Sequence, residues 1–226
     1  MNQCFAVGFV ILMFFGAVSI IPARLMAPVS PTNALNSKIL NNRFISLWNG
    51  RDLAGWKPYF GGVNVKVSQL WSARNGVLLL TGEPIGYLRT EMVFSNYHLH
   101  VEWRWPQGSG DSGLLIHLED SDAIWPRSVK CQLKSGTAGE LIGQTGVTFS
   151  GSGVEDKRRK TITASSENPV GEWNASDVYC RGDTIEVHIN GVRQNDIDKV
   201  SVREGAIGLQ LQGQPIEFRN LWLEQL

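Results

Sequence analysis

The chain has 226 residues, of which 42% are hydrophobic and 19% are charged, and this is enough to build one well-buried domain. Its 21 basic and 21 acidic residues cancel, and this balance argues against a nucleic-acid partner, which would require a basic face. The 24 glycines and 8 tryptophans, without repeats or a long amphipathic helical pattern, favour an all-β protein with tight turns.

Residues 1–27 are predicted to be a signal peptide or an N-terminal anchor. Residues 5–21 contain no charged side chain, which is typical of an export signal. Seventeen such residues are at the short limit for a membrane span, so cleavage of the segment and its retention as an anchor both remain open. Residues 28–42, rich in Pro, Ser and Asn, are interpreted as a linker before a domain at 43–226. Either alternative predicts a periplasmic or extracellular location, with no membrane contact beyond such an anchor.

The three cysteines are too few for a disulfide framework. Cys4 belongs to the N-terminal segment, whereas Cys131 and Cys180 fall in predicted strands. These two would pair in an oxidising compartment only if their strands are neighbours, and two buried free thiols are the alternative. The four histidines are isolated on strands, and no Cys/His cluster has the spacing of a zinc site.

Residues 97–105 alternate between apolar and polar side chains, which predicts a half-buried strand. Successive side chains of a strand point to opposite faces of the sheet. The odd positions are apolar, and the even positions are His98, His100, Glu102 and Arg104. This strand therefore has one core face and one face with titratable groups.

Two later segments show the same pattern. In residues 113–118, Leu115 and His117 lie opposite three aliphatic residues, and in residues 128–134 the polar positions include Lys130 and Gln132. We expect the neighbours Val101, Trp103, Ile116, Val129 and Cys131 to be buried.

The three polar faces would form one patch if their strands are neighbours in one sheet. The members of this patch are Glu102, Arg104, His117, Lys130 and Gln132. An ordinary solvated outer face would give the same pattern, with an exposed His117 and a surface ion pair between Glu102 and Arg104. Charged side chains are disfavoured inside strands without a use, so we interpret the patch as a site on a concave outer face.

The C-terminal part predicts a β-meander. Asn190-Gly191 suits a type I′ turn because both central residues need positive φ, and Arg181-Gly182-Asp183 is interpreted as a second hairpin turn rather than an adhesion motif. The basic cluster at 157–160 is interpreted as a solvated loop. The regular spacing of alternating runs and turns predicts an all-β, two-sheet antiparallel jelly roll.

Three segments carry a resemblance to a known family. They are FISLWNGRDLAGW at 44–56, DSGLLIH at 111–117 and GEWNASDVYCRGDTIEVHINGVR at 171–193. With them the chain, from about Phe44 to Leu223, resembles the 3-keto-disaccharide hydrolase domain family, formerly a domain of unknown function. The resemblance implies a concanavalin A-like jelly roll that acts on carbohydrate.

Two positions depart from the pattern of that family. Asp111 stands where Asn is usual, and Lys130 stands where Glu is usual. The second change reverses a charge at a suspected active-site position. It implies another base, another substrate or a loss of activity.

The resemblance implies a substrate with a ketone at C3 of a sugar. Such a ketone acidifies the C2 proton, so a single base can form an enediolate that expels the aglycone from C1, and water then adds to the unsaturated sugar. A plain glycosidase instead needs two carboxyls about 5 to 9 Å apart. The polar patch offers only Glu102, with Glu119 and Glu140 in loops as reserves.

The residue types suggest roles for this chemistry. Either Glu102 or His117 would be the base, and Lys130 and Arg104 would hold the oxyanion. The predicted substrate contacts are Gln132 and Asp111, with Trp105 and Trp125 as rings that stack on a sugar. A divalent metal held by Glu102, His117 and Gln132 remains open. A non-catalytic carbohydrate-binding module with the same sandwich is the alternative function.

Overall fold

The computed structural model describes residues 43–61, 65–153 and 157–226, which form a sandwich of two antiparallel β-sheets. The predicted all-β, two-sheet jelly roll is therefore confirmed. The predicted signal or anchor and the linker lie outside the described residues. Within the described ranges, no helix is long and apolar enough to cross a membrane.

The first sheet, sheet A, has eight strands. They are β1 (Phe44–Ser46), β3 (Trp71–Arg74), β4 (Val77–Leu80), β6 (Tyr97–Arg104), β11 (Asn174–Arg181), β12 (Thr184–Ile189), β13 (Val192–Ile197) and β15 (Ile216–Gln225). Seven of them follow the order β13-β12-β11-β6-β15-β4-β3, and β1 pairs with β15 beside β4. The long strand β15 thus joins β6 on one side to β4 and β1 on the other.

The second sheet, sheet B, has seven strands. They are β2 (Trp56–Tyr59), β5 (Gly86–Thr90), β7 (Gly113–Leu118), β8 (Ser128–Gln132), β9 (Leu141–Gln144), β10 (Arg158–Arg159) and β14 (Ala206–Leu211), in the order β10-β9-β8-β7-β14-β5-β2. A 3-10 turn, Val67–Gln69, precedes β3. In sheet A, β6 and β11 alternate buried and half-buried side chains, whereas β7, β8 and β14 of sheet B are buried throughout. The outer face of sheet B is therefore covered along its central strands.

The hydrophobic core lies between the inner faces of the two sheets. All five residues that were expected to be buried are fully buried: Val101, Trp103, Ile116, Val129 and Cys131. Full burial of an aliphatic or aromatic side chain contributes about 1.5–3 kcal/mol each, so these faces supply most of the stability. Cys131 and Cys180 are free, buried thiols on opposite sheets, as the alternative to pairing predicted.

Trp103 is anchored by a hydrogen bond that crosses from β6 to β11. Its indole Nε1 donates to Ser176 Oγ at 2.9 Å, and both residues are fully buried. We expect Trp103→Phe to lower the free energy of unfolding by about 2 kcal/mol, because it removes buried volume and leaves the serine hydroxyl without its donor. Urea unfolding measures this loss of free energy. The loss caused by Trp103→Phe should be smaller in a Ser176→Ala background, and equal losses in both backgrounds would contradict the role of this hydrogen bond.

The predicted turns are found between the C-terminal strands of sheet A. Arg181-Gly182-Asp183 links β11 to β12, and Gly182 has a φ of 58°. Asn190 and Gly191 link β12 to β13 with φ values of 51° and 78°, as a type I′ turn requires. Both hairpin predictions are confirmed.

Candidate active site on sheet B

The polar residues that were expected to share one face lie on three different surfaces. Glu102 and Arg104 belong to β6 in sheet A, whereas Lys130 and Gln132 belong to β8 in sheet B. The predicted single patch is therefore wrong. Its physical cause is the loop 105–112, which carries the chain from one sheet to the other instead of forming a hairpin within one sheet.

A β-bulge turns His117 into the interior. In the pairing of β7 with β14, Gly208 faces Leu115 and Ala206 faces Leu118, so β7 contains one extra residue. His117 takes this place with a φ of 51°. His117 is 1% exposed, and its ring packs edge-on against Tyr97 of sheet A, with ring centroids 5.6 Å apart. The distance from its Nδ1 to the backbone carbonyl oxygen of Val202 is 3.2 Å. The prediction that His117 lies on a polar outer face is wrong.

The outer face of sheet A is an internally paired charge network. Glu102 accepts hydrogen bonds from Arg219 Nε and Asn220 Nδ2, both at 2.6 Å. Burial alone would raise the pKa of Glu102, but these two hydrogen bonds together with the charge of Arg219 outweigh burial and hold the pKa below its ordinary value. Arg104 is paired with Glu217 at 2.6 Å. A strongly paired carboxylate is a weak base, so this geometry does not favour Glu102 for proton abstraction.

Neighbouring histidines complete the same network. His98 Nε2 and His100 Nδ1 lie 2.7 and 2.9 Å from one oxygen of Asp177. His100 also stacks on Trp222, with ring centroids 4.8 Å apart. The charged and polar groups of this face therefore satisfy one another.

The outer face of sheet B holds a different group of polar side chains. This group, the sheet B site, consists of Asp111, Lys130, Gln132, Glu140 and Gln210. All except Asp111 are at most 6% exposed. Lys130 Nζ lies 3.0 Å from Asp111 Oδ1, and the Asp111 side chain is 29% exposed, so the ion pair reaches solvent on the aspartate side. Burial of this many polar groups costs free energy unless they are hydrogen-bonded or paired, and buried titratable groups of this kind cluster at functional sites.

Lys130 lies flat across Gly113. A Cβ at residue 113 would lie 2.5 Å from the Lys130 Cε, so only glycine leaves room for this stem. Burial lowers the pKa of Lys130, the Asp111 carboxylate opposes this shift, and the nearby Arg158 guanidinium adds to it. Burial prevails, and the protonated amine is disfavoured relative to an exposed lysine.

Two amide oxygens of the site have no hydrogen-bond partner among the described residues. They are Oε1 of Gln132 and Oε1 of Gln210, and both side chains belong to residues that are 2% exposed. Gln132 pairs with Gly113 across β7 and β8, and Gln210 follows Leu209, which pairs with Leu114 on the other side of β7. The two amides thus flank the strand over which Lys130 lies. Unpaired buried acceptors cost about 1–3 kcal/mol each, and hydroxyl groups of a ligand would satisfy them.

The two tryptophans that were expected to stack on a sugar have different positions. Trp105 is 3% exposed and packs against Trp103 in the core, so its predicted stacking role is wrong. Trp125 is 43% exposed in the loop between β7 and β8 and keeps its predicted role as a proposal. A further aromatic pair on sheet B, Tyr59 and Tyr87, is stacked at 5.3 Å.

Sequence reasoning missed two groups at this site. The cluster at 157–160 was interpreted as a solvated loop, but Arg158 and Arg159 form strand β10, and Arg158 pairs with the buried Glu140. Gln210 was also missed, although its alternation with Leu209 and Leu211 placed it on a polar face. The position of Arg158 depends on a contact between distant segments, which no local pattern indicates.

The three residues that were considered as ligands of a divalent metal do not lie close together. Glu102 lies on sheet A, His117 lies in the interior, and Gln132 lies on sheet B. These three cannot hold one ion. Among the described residues, no group of three or more His, Cys, Asp and Glu side chains has the geometry of a metal site.

Gly113 permits a direct test of the lysine position. We expect Gly113→Ala to lower the free energy of unfolding by about 1–3 kcal/mol, because the new methyl group overlaps the Lys130 stem. The loss should nearly disappear in a Lys130→Ala background, since the stem is then absent. Urea unfolding of the four proteins gives the coupling energy, and additive losses would show that the lysine does not lie over this glycine.

Comparison with known families identifies one match. The sequence model of the 3-keto-alpha-glucoside-1,2-lyase-like domain family matches residues 43–224, and this confirms the resemblance. No curated protein matches the chain by sequence.

Several solved structures share the fold at low sequence identity. A provisionally assigned glycosyl hydrolase from Parabacteroides distasonis ATCC 8503 is 20% identical, with a TM-score of 0.61 over 84% of this chain and 96% of that chain. The carbohydrate-binding module CBM66 from Bacillus subtilis is 14% identical, with a TM-score of 0.57 over 80% and 100% of the two chains. Porphyranase B from Zobellia galactanivorans is 11% identical, with a TM-score of 0.55 over 82% and 90%. These likenesses concern the fold.

Proposed function

This chain belongs to the 3-keto-alpha-glucoside-1,2-lyase-like domain family, and we propose that it cleaves 3-keto-glycosides at the sheet B site. One observation carries the proposal: a buried lysine lies between two glutamines whose carbonyl oxygens have no hydrogen-bond partner in the described part of the chain. Amide groups form hydrogen bonds with sugar hydroxyls, and the amino group of a lysine can donate a hydrogen bond to a carbonyl oxygen that gains negative charge. The site therefore has the groups that a keto-sugar would require.

The proposed reaction begins with loss of the C2 proton. The adjacent C3 ketone accepts the electron pair, the bond from C1 to the aglycone oxygen breaks, and water then adds across the resulting double bond. This route needs one base, one electrophilic partner for the ketone and an acid that protonates the leaving aglycone. Direct displacement would instead need two carboxyls that act as acid and nucleophile or base, and of the two carboxylates at this site Glu140 is buried and paired with Arg158.

Each group of the sheet B site has a role in this reaction. Asp111 is the proposed base, because its carboxylate is the partly exposed one. Lys130 meets the C3 carbonyl, and Gln132 and Gln210 orient neighbouring hydroxyls. Glu140 is paired with Arg158, so its role is to hold that guanidinium near the lysine.

The test compares p-nitrophenyl 3-keto-glucoside with its unoxidised parent. The chain should release p-nitrophenol from the keto-glycoside only, and the recovered sugar should carry solvent deuterium at C2 when the reaction is run in deuterated water. Equal release from the parent glycoside, without deuterium at C2, would exclude the proposed reaction.

A non-catalytic carbohydrate-binding module is the second candidate function. It is favoured by the pairing of both carboxylates of the site, Asp111 with Lys130 and Glu140 with Arg158. Titration calorimetry distinguishes the two functions: a module would bind the glycoside and release it intact, whereas an enzyme would consume it.

We further propose that the chain works outside the cytoplasm. The support is the uncharged segment at residues 5–21, which is typical of exported proteins. Fractionation of expressing cells, with the mature N-terminus read by mass spectrometry, would test the location and the cleavage together.

A further inference from the structure

We propose that Lys130 acts on the ketone covalently, through an imine between its Nζ and C3 of the sugar. The inference rests on the proposed function, because it names how the sheet B site engages a 3-keto-glycoside. In this proposal Lys130 forms a covalent bond to the substrate, in addition to any electrostatic stabilisation of the ketone. The proposal rests on the placement of the amine, its ion pair with Asp111 and the groups around it.

The placement of the amine suits attack on a bound carbonyl. The aliphatic part of the Lys130 side chain lies over Gly113, along the surface of the sheet, because glycine has no side chain to block it. Gln132 and Gln210 flank this strand, so hydroxyls bound to their amide oxygens would lie on both sides of the amine. A C3 carbonyl between two hydroxyl-bearing carbons has this arrangement of neighbours.

The surroundings also favour the neutral amine that such an attack needs. A lysine becomes nucleophilic when it is desolvated or lies beside another cation. Lys130 is 5% exposed, and burial is the main cause that lowers its pKa, with Arg158 as the neighbouring cation. Asp111, at 3.0 Å, is positioned to exchange a proton with the amine.

The proposed step balances without a further reagent. Asp111 first takes a proton from the ammonium group of Lys130. The nitrogen lone pair then forms a bond to C3, the carbonyl oxygen takes one proton from the attacking nitrogen and one from Asp111 and leaves as water, and a protonated imine remains. The Asp111 carboxylate then removes the C2 proton, and the electron pair moves toward the imine nitrogen. The bond from C1 to the aglycone oxygen breaks, and that oxygen takes the proton back from Asp111. Water adds to the unsaturated sugar, and hydrolysis of the imine returns the ketone and the free amine.

Reductive trapping tests the bond itself. The full chain is incubated with methyl 3-keto-glucoside and sodium cyanoborohydride, and the adduct is mapped by peptide mass spectrometry. We expect one adduct per chain on Lys130, whose added mass is that of the keto-sugar less one oxygen atom. The exposed Lys134 is the matched control: Lys134→Arg should keep the adduct, and Lys130→Arg should lose it.

Each possible result of this experiment supports or overturns the imine. An adduct on Lys130 supports the imine. Release of aglycone by the wild-type chain without any adduct overturns the imine and leaves the proposed function intact. Modification spread over exposed lysines also overturns it. If the chain neither binds nor cleaves the keto-glycoside, the proposed function fails, and the imine fails with it.

Discussion

Asp111→Asn is expected to slow the release of aglycone from a 3-keto-glycoside by about 100- to 10,000-fold, the range for loss of a positioned general base. Asparagine keeps an oxygen near Lys130 Nζ, which lies 3.0 Å from the aspartate, but it cannot take up a proton. Exchange of the C2 proton with deuterated solvent should fall by the same factor as release. Steady-state release and mass spectrometry of the recovered sugar measure both rates.

The matched control for this substitution is Asp183→Asn. Asp183 lies in the turn between β11 and β12, on a hairpin of sheet A. Its substitution by asparagine should leave both rates unchanged. Circular dichroism must show that the Asp111 variant is folded, because removal of one partner leaves the lysine buried without its counter-charge. Normal C2 exchange in a folded Asp111→Asn chain would remove the aspartate from the role of base.

His117 is expected to make the fold sensitive to acid. Burial lowers the pKa of His117 from 6.5 to about 4, so the unfolded chain binds the proton more readily than the folded chain. Stability that is present above pH 6.5 is therefore lost as the pH falls from 6.5 to about 4. A shift of this size corresponds to about 3 kcal/mol of unfolding free energy.

His117→Asn should remove this dependence. Asparagine is neutral at every pH and tolerates the positive φ of this position, which is 51°. Urea unfolding at pH 7.5 and at pH 4 gives the loss for each protein, and the value at pH 7.5 serves as the internal reference for the smaller side chain. Equal acid losses in both proteins would show that the histidine is not the responsible group.

The sequence predicted the two faces of most strands, because alternation is a local property. The polar parity of β6 and β8 was read correctly: Val101 and Cys131 face the core, and Lys130 is on the opposite side of its strand. The assignment of these strands to one sheet failed, since the choice depends on where the loop 105–112 crosses. No residue pattern distinguishes a crossing loop from a long hairpin loop.

The bulge in β7 is the second point at which local reasoning failed. The run Leu-Leu-Ile-His-Leu was interpreted as regular alternation, and the extra residue becomes visible only when β14 pairs beside it. Only a few per cent of non-glycine residues have positive φ, so a histidine at this position did not by itself predict the bulge. Glycine at 113 was a better signal, because a strand glycine often marks a place where another chain segment approaches closely.

The pairing of β15 has a consequence for how the chain folds. Ile216–Gln225 is made after every strand with which it pairs, and those partners, β1, β4 and β6, all lie before residue 105. During synthesis, sheet A is therefore split, with its β3–β4 hairpin and β1 lacking their common neighbour until β15 arrives. Contacts over such long sequence separations slow folding and leave strand edges open in the meantime. A chaperone that holds the nascent chain until its last strand is available would thus protect this fold from aggregation.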